Sequence, residues 1–274
     1  MPQIVEKGNK NKSMNYDLII IGSGPGGYVA AIRASQLGLK VAIVEKAELG
    51  GVCLNWGCIP TKALLKSAQV FEYLKHAADY GITVNGGSAD FDAVVKRSRG
   101  VADAMSKGVT FLLKKNKIDV INGYGKIKSG KKVEVTDAEN KVTVYESKNI
   151  ILATGARSRE LPNLKQDGKK IIGYRDAMVL ATLPKSMVIV GSGAIGVEFA
   201  YFYAVMGTKV TIVEYLPAIV PIEDEEVSKQ LERSFKKMGI EIMTNASVES
   251  VDTSGSNCKV KIKAKDAEKI IECD

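Results

Sequence analysis

At 274 residues, 45% hydrophobic and 26% charged, the chain has room for two domains with separate cores and the composition of an ordinary globular protein. No apolar run reaches the roughly eighteen residues of a spanning helix, and the polar start MPQIVEKGNKNKSMN lacks the apolar core of an export signal. The formal net charge is +8, but the lysines are scattered and mixed with acids, as on solvated faces, which argues against a nucleic-acid stripe.

Residues 1–15 read as a tail. Leu18 to Ile21 is a short, wholly apolar run, as expected of a parallel strand buried on both faces. It leads into Gly22-Ser23-Gly24-Pro25-Gly26-Gly27 and then an alanine-rich helical stretch closed by Gly38. Val41 to Val44 forms the next strand, and Glu45 ends it, 23 residues after Gly22. Gly22 allows a tight turn, Gly24 lets backbone approach a pyrophosphate, and Gly27 lets helix and strand pack closely. Glu45 is placed to accept hydrogen bonds from ribose hydroxyls. A lone glycine turn of this kind is weak evidence; strand, helix and acid together point to a dinucleotide site.

The cysteine pair follows. Zinc would need two more ligands, and Cys258 and Cys273 lie far off with no histidine spacing, so redox chemistry is favoured over zinc and over a structural pair, and four cysteines so spaced make no secreted disulfide framework. A helix is expected from about Ile59, with Pro60 in its first turn and Leu64, Ala68 and Phe71 on one apolar face. Cys58 then sits at a helix N-terminus, where the partial positive charge favours a thiolate. Cys53, on the preceding loop, is placed to exchange disulfides with it.

The strand–turn–helix device recurs in MVIVGSGAIGVEFAYFYAVMGTKVTIVE, with Gly191, Gly193 and Gly196 in the same spacing and Glu214 again 23 residues past the first glycine. Two such units predict two bound dinucleotides in an α/β protein. Glu214, with no arginine nearby, favours NAD over NADP, because a carboxylate accepts from a free 2′-hydroxyl and repels a 2′-phosphate.

The stretch Gly50-Gly51-Val52-Cys53-Leu54-Asn55-Trp56-Gly57-Cys58-Ile59-Pro60-Thr61-Lys62 resembles the active-site signature of the flavoprotein disulfide reductases, and CLNWGCIPTKALL is most similar to dihydrolipoamide dehydrogenases. The resemblance runs from about Tyr16 to the end. It implies two Rossmann-like, three-layer ββα domains: 16–157 for FAD with the cysteine pair, and 158–274 for NAD. FAD would meet Gly22, Gly24, Pro25, Gly26, Gly27, Glu45 and Lys46. Gly51, Val52, Gly57 and Lys62 would line its ring, and Gly125, Thr154 and Gly155 would complete the site. NAD would lie on Gly191, Gly193, Ile195, Gly196 and Glu214.

By the same resemblance Cys53 is the interchange thiol, Cys58 the sulfur that contacts the flavin, and Lys62 a cation near the flavin's reactive nitrogen, paired with Glu198. The implied reaction oxidises dihydrolipoyl groups through the Cys53–Cys58 disulfide and FAD and passes hydride to NAD+. The donor would be a lipoylated acyltransferase or a glycine-cleavage carrier protein, met by a cytoplasmic homodimer with no membrane and no nucleic-acid partner. The family's histidine–glutamate base and dimer-interface domain have no counterpart in the sequence, so the chain is expected to be a truncated form with impaired activity. His76 does not match that base and reads as a surface or packing residue. Another flavin disulfide reductase, such as a mercuric reductase, and a non-catalytic dinucleotide-binding module are the alternatives.

Overall fold

Short apolar strands joined by glycine turns and helices set the architecture. A computed structural model describes residues 15–264 and 267–274, so the tail assigned to 1–15 lies outside the described residues except for Asn15, which opens the first strand. The first half runs β1 (Asn15–Ile21), α1 (Pro25–Gln36), β2 (Val41–Glu45), α2 (Gly51–Trp56), α3 (Cys58–Lys75), α4 (Phe91–Lys115), β3 (Asp119–Asn122), β4 (Tyr124–Lys128), β5 (Lys132–Thr136) and β6 (Val142–Leu152). The second runs α5 (Tyr174–Ala177), β7 (Ser186–Val190), α6 (Ala194–Met206), β8 (Lys209–Val213), α7 (Glu225–Lys237), β9 (Glu241–Met243), β10 (Ala246–Asp252), β11 (Cys258–Ala264) and β12 (Ala267–Cys273).

The chain divides into two compact units. One comprises the residues up to Asn55 with Asp103–Ala156. Its sheet has the order β3-β2-β1-β6-β5-β4, parallel from β3 to β6 and antiparallel beyond. Ile19, Ile20, Ala42, Ile43 and Val44 are buried, which is why β1 and β2 carry no polar alternation. Small residues Gly27, Ala31 and Ala34 form the buried face of α1 and let the helix lie close to the strands.

The other unit joins Trp56–Ala102 to Arg157–Asp274. It contains a parallel sheet, β7-β8-β9, and an antiparallel one, β10-β11-β12. Helix α6 is buried nearly all round, through Val197, Phe199, Ala200, Phe202, Tyr203, Val205 and Met206, as its almost unbroken apolar sequence requires. Leu64 and Ala68 of α3 join that cluster, with Phe71 packed against it. This packing explains why 56–102, expected in the first domain, group with the second unit. The final stretch Ile270–Cys273 belongs to β12 of the antiparallel sheet.

Candidate active site

The first glycine turn leaves β1 at its C-terminal end, with β2 on one side and β6 on the other. In open α/β sheets this is where ligands bind. Gly22 has φ +101°, and a Cβ there would lie 2.1 Å from the Ala153 carbonyl oxygen. Gly27 is equally enclosed: its Cβ would meet the Gly22 carbonyl oxygen at 1.9 Å. Gly24, the N-cap of α1, and Gly26 face open space, so a side chain at either would occupy the volume in front of the helix N-terminus. That contrast separates glycines needed for packing from glycines that leave open space at the helix start. Pro25 takes the first helical position, where its missing N–H costs nothing.

Glu45 is fixed by its surroundings. One carboxylate oxygen accepts from the Ser23 N–H at 2.8 Å and the Ser23 hydroxyl at 2.7 Å. The other accepts from the backbone N–H groups of Lys46 and Ala47 at 2.9 and 3.0 Å. Lys46 extends its ammonium over the Tyr124 ring, 5.7 Å from the centroid. Gly125, next to Tyr124 on β4, backs onto Val44 and Ile21 at 3.1 and 3.2 Å from a would-be Cβ. Ala153 continues from β6 with its N–H donated to Ile21, and Thr154 and Gly155 follow, exposed, the latter at φ +71°.

The second turn repeats the design. Gly191 has φ +93° with open space beside it, Gly193 is the N-cap of α6, and a Cβ at Gly196 would lie 2.1 Å from the Gly191 carbonyl oxygen. Ile195 projects outward, 54% exposed, in the first turn of the helix. Glu214 accepts from the Ser192 N–H at 2.8 Å, the Ser192 hydroxyl at 2.6 Å and the Leu216 N–H at 2.8 Å. Burial alone would raise its pKa, but these hydrogen bonds outweigh it and hold the carboxyl below the usual range. A cavity of about 910 Å3 opens at this turn, lined by Gly191, Gly193, Ile195 and Gly196 among others.

Ser23 and Ser192 were not singled out in the sequence. Their signal was available: each is the second residue of an identical Gly-Ser-Gly turn, 22 residues before the acid that it holds.

The cysteine region departs from expectation in one respect. Cys53 lies in the short helix α2 and not on a loop. Gly50 and Gly51, at φ +93° and +62°, turn the chain into it, and the Asn55 amide donates to the Leu49 and Gly51 carbonyls, both at 2.9 Å. A Cβ on Gly51 would be 2.7 Å from the Gly24 Cα, so the start of α2 runs directly against the first glycine turn. Val52 is exposed on α2, and Cys53 is half-buried.

Gly57 caps α3, and Cys58, exposed, is the first residue of that 18-residue helix. Pro60 falls in the first turn. Lys62, one turn further on, forms an ion pair with Glu198 of α6. Its side chain is 62% exposed, so the pair adds little to stability, and what it provides is a fixed placement of charge between two helices. His76 follows the last turn of α3, exposed, with Nε2 3.1 Å from Glu72 and Nδ1 3.8 Å from Asp79.

Two glycine turns of dinucleotide-binding form, with a cysteine at a helix start, define the class of a nucleotide-dependent redox protein. Residues 16–274 match the pyridine nucleotide-disulphide oxidoreductase family, and the chain belongs to it. It is 48% identical over 252 residues to the dihydrolipoyl dehydrogenase of Zymomonas mobilis, covering 92% of this chain and 54% of that protein. The Chlorobaculum tepidum dihydrolipoyl dehydrogenase is 51% identical over 247 residues, 90% of this chain and 53% of that one. Among solved structures, LpdA of Mycobacterium tuberculosis superposes with a TM-score of 0.84 at 28% identity, covering 95% of this chain and 57% of that one. The chain therefore spans about half the length of these relatives. Members of the family are oxidoreductases that use FAD and NAD. The glycines with open space before them, and the two carboxylates anchored beside them, fit such nucleotides.

Proposed function

We propose that this chain is the cofactor-binding part of a dihydrolipoyl dehydrogenase, in which Cys53 and Cys58 form the disulfide that oxidises protein-bound dihydrolipoyl groups and NAD+ is the final acceptor. The observation that carries the reading is the placement of Cys58 at the first position of α3, with Lys62 one turn on and ion-paired to Glu198. The identity to dihydrolipoyl dehydrogenases supports the choice of substrate. FAD, when bound, supplies the two-electron carrier between thiols and nicotinamide. Gly22, Gly24, Gly26 and Gly27 with Glu45 would hold it, and Gly191, Gly193, Gly196 and Glu214 would hold NAD.

In the proposed exchange a substrate thiolate attacks the Cys53 sulfur. The Cys53–Cys58 bond breaks, and Cys58 leaves as a thiolate. The second substrate thiol then displaces Cys53, closing the substrate disulfide and leaving the protein pair reduced by two electrons. The partner would be a lipoylated acyltransferase or a glycine-cleavage carrier, and the setting a cytoplasmic homodimer. Among the described residues no helix is long and apolar enough to cross a membrane.

The test is NADH formation from dihydrolipoamide by the full-length protein. Cys53→Ser should keep its flavin and lose more than about a thousandfold in turnover, the scale on which removal of a nucleophile acts. Near-normal turnover in that variant would refute the role of Cys53.

A further inference from the structure

Cys258 and Cys273 are distant in sequence but meet in the antiparallel sheet. They occupy the first position of β11 and the last of β12, and stand opposite one another in the ladder. Opposed side chains project from the same face of a sheet. Both are buried, 2% and 7% exposed, in an apolar cluster with Val248, Val260 and Ile262. Opposed residues in an antiparallel ladder have Cα atoms about 4.5 or 5.5 Å apart. Either spacing falls inside the roughly 4.4–6.8 Å that a disulfide spans, so the backbone need not move. Both residues line the cavity of about 910 Å3.

We propose that Cys258 and Cys273 are a second dithiol, separate from Cys53 and Cys58, which hydrogen peroxide oxidises to a cross-strand disulfide. One sulfur attacks a peroxide oxygen. The O–O bond breaks, hydroxide leaves and takes up the thiol proton, and the sulfur becomes a sulfenic acid. The second sulfur attacks the first, the S–S bond forms, and water leaves with the remaining proton. Two thiols and one peroxide thus give one disulfide and two waters, with two electrons passing to the oxidant. The peroxide is small and uncharged, which suits the cavity that both residues line.

Burial, with the neighbouring Cys258 adding to it, pushes the Cys273 thiol up to about 11. Oxidation that begins at Cys273 therefore accelerates as the pH rises. The bridge would lie beside an anchor of the second nucleotide turn. Asp274, next to Cys273, accepts hydrogen bonds from the backbone N–H groups of Lys185 and Ser186 at the start of β7, the strand that leads to Gly191.

Peptide mapping of the full protein tests this directly. Trypsin separates the two dithiols: Cys53 and Cys58 share the fragment between Lys46 and Lys62, whereas the Cys258 fragment ends at Lys259 and the Cys273 fragment begins after Lys269. After peroxide at a series of rising pH values and alkylation of the remaining thiols, a linked Cys258–Cys273 pair should appear, more completely the higher the pH. Its mass should fall two hydrogens below the sum of its fragments. The link should vanish with dithiothreitol and in Cys258→Ala. Recovery of both cysteines alkylated, or as separate sulfinic acids, under conditions that fully oxidise Cys53 and Cys58, would overturn the proposal.

Discussion

Glycines that look alike in the two turns do different work, and single methyl groups distinguish them. A Cβ at Gly27 would collide with the Gly22 carbonyl, a backbone atom with no freedom to yield, whereas a Cβ at Gly24 meets nothing. Gly27→Ala should cost roughly 1–3 kcal/mol or more in denaturant unfolding, the range for overpacked sites. Gly24→Ala should unfold like the parent yet bind FAD much more weakly, because its methyl group enters the phosphate cradle; equal FAD affinity for Gly24→Ala and the parent would contradict this. At this scale the sequence was largely readable, since glycine spacing and terminal acids follow from turn geometry. The serines that clamp Glu45 and Glu214 escaped notice because a hydroxyl inside a turn leaves no periodic trace. Cys258 and Cys273 read as ordinary strand positions, since ladder register is invisible until the strands are paired.

Helices differ in how plainly their ends are written. Asp224 caps α7, accepting from the Glu226 N–H at 2.8 Å and the Val227 N–H at 3.4 Å. Asp224→Ala should therefore lower stability by about 1 kcal/mol, as loss of an N-cap does, and thermal unfolding would show it. An unchanged transition would mean that the cap contributes nothing. The strand–helix–strand units and the start of α3 were legible because each combines an apolar period with a glycine or proline boundary. Helix α2 was not, because six residues are too few to establish a helical period, and its shape depends on positive-φ glycines and the Asn55 amide. The grouping of α3 with α6 was hidden for a different reason: the apolar faces concerned, with Leu64 and Ala68 on one and Phe199 and Phe202 on the other, lie far apart in the chain.

On the scale of the molecule, one device used twice explains most of what the chain can hold. Burial of polar groups also shapes its response to pH. Tyr203 and Tyr16 are raised by burial, the latter also by its bond to Asp119, and Cys273 is raised to about 11. Each keeps its proton in the folded state beyond the pH at which the unfolded chain releases it. The stability they contribute is therefore complete below the ordinary thiol and phenol range and is lost progressively as the pH climbs from there through their raised values. Chemical denaturation should show a declining midpoint from about pH 9 upward, less steep in Cys273→Ala; a flat alkaline limb would contradict the burial of these groups. The proposed chemistry depends on Cys58 being, as the resemblance implies, the sulfur that contacts the flavin. The most direct measurement is the absorbance of the FAD-loaded, full-length protein during anaerobic reduction by a dithiol. Partial reduction should produce a long-wavelength thiolate–flavin band that is missing in Cys58→Ser. Simple bleaching of the flavin without that band, or a band of equal strength in the variant, would contradict it.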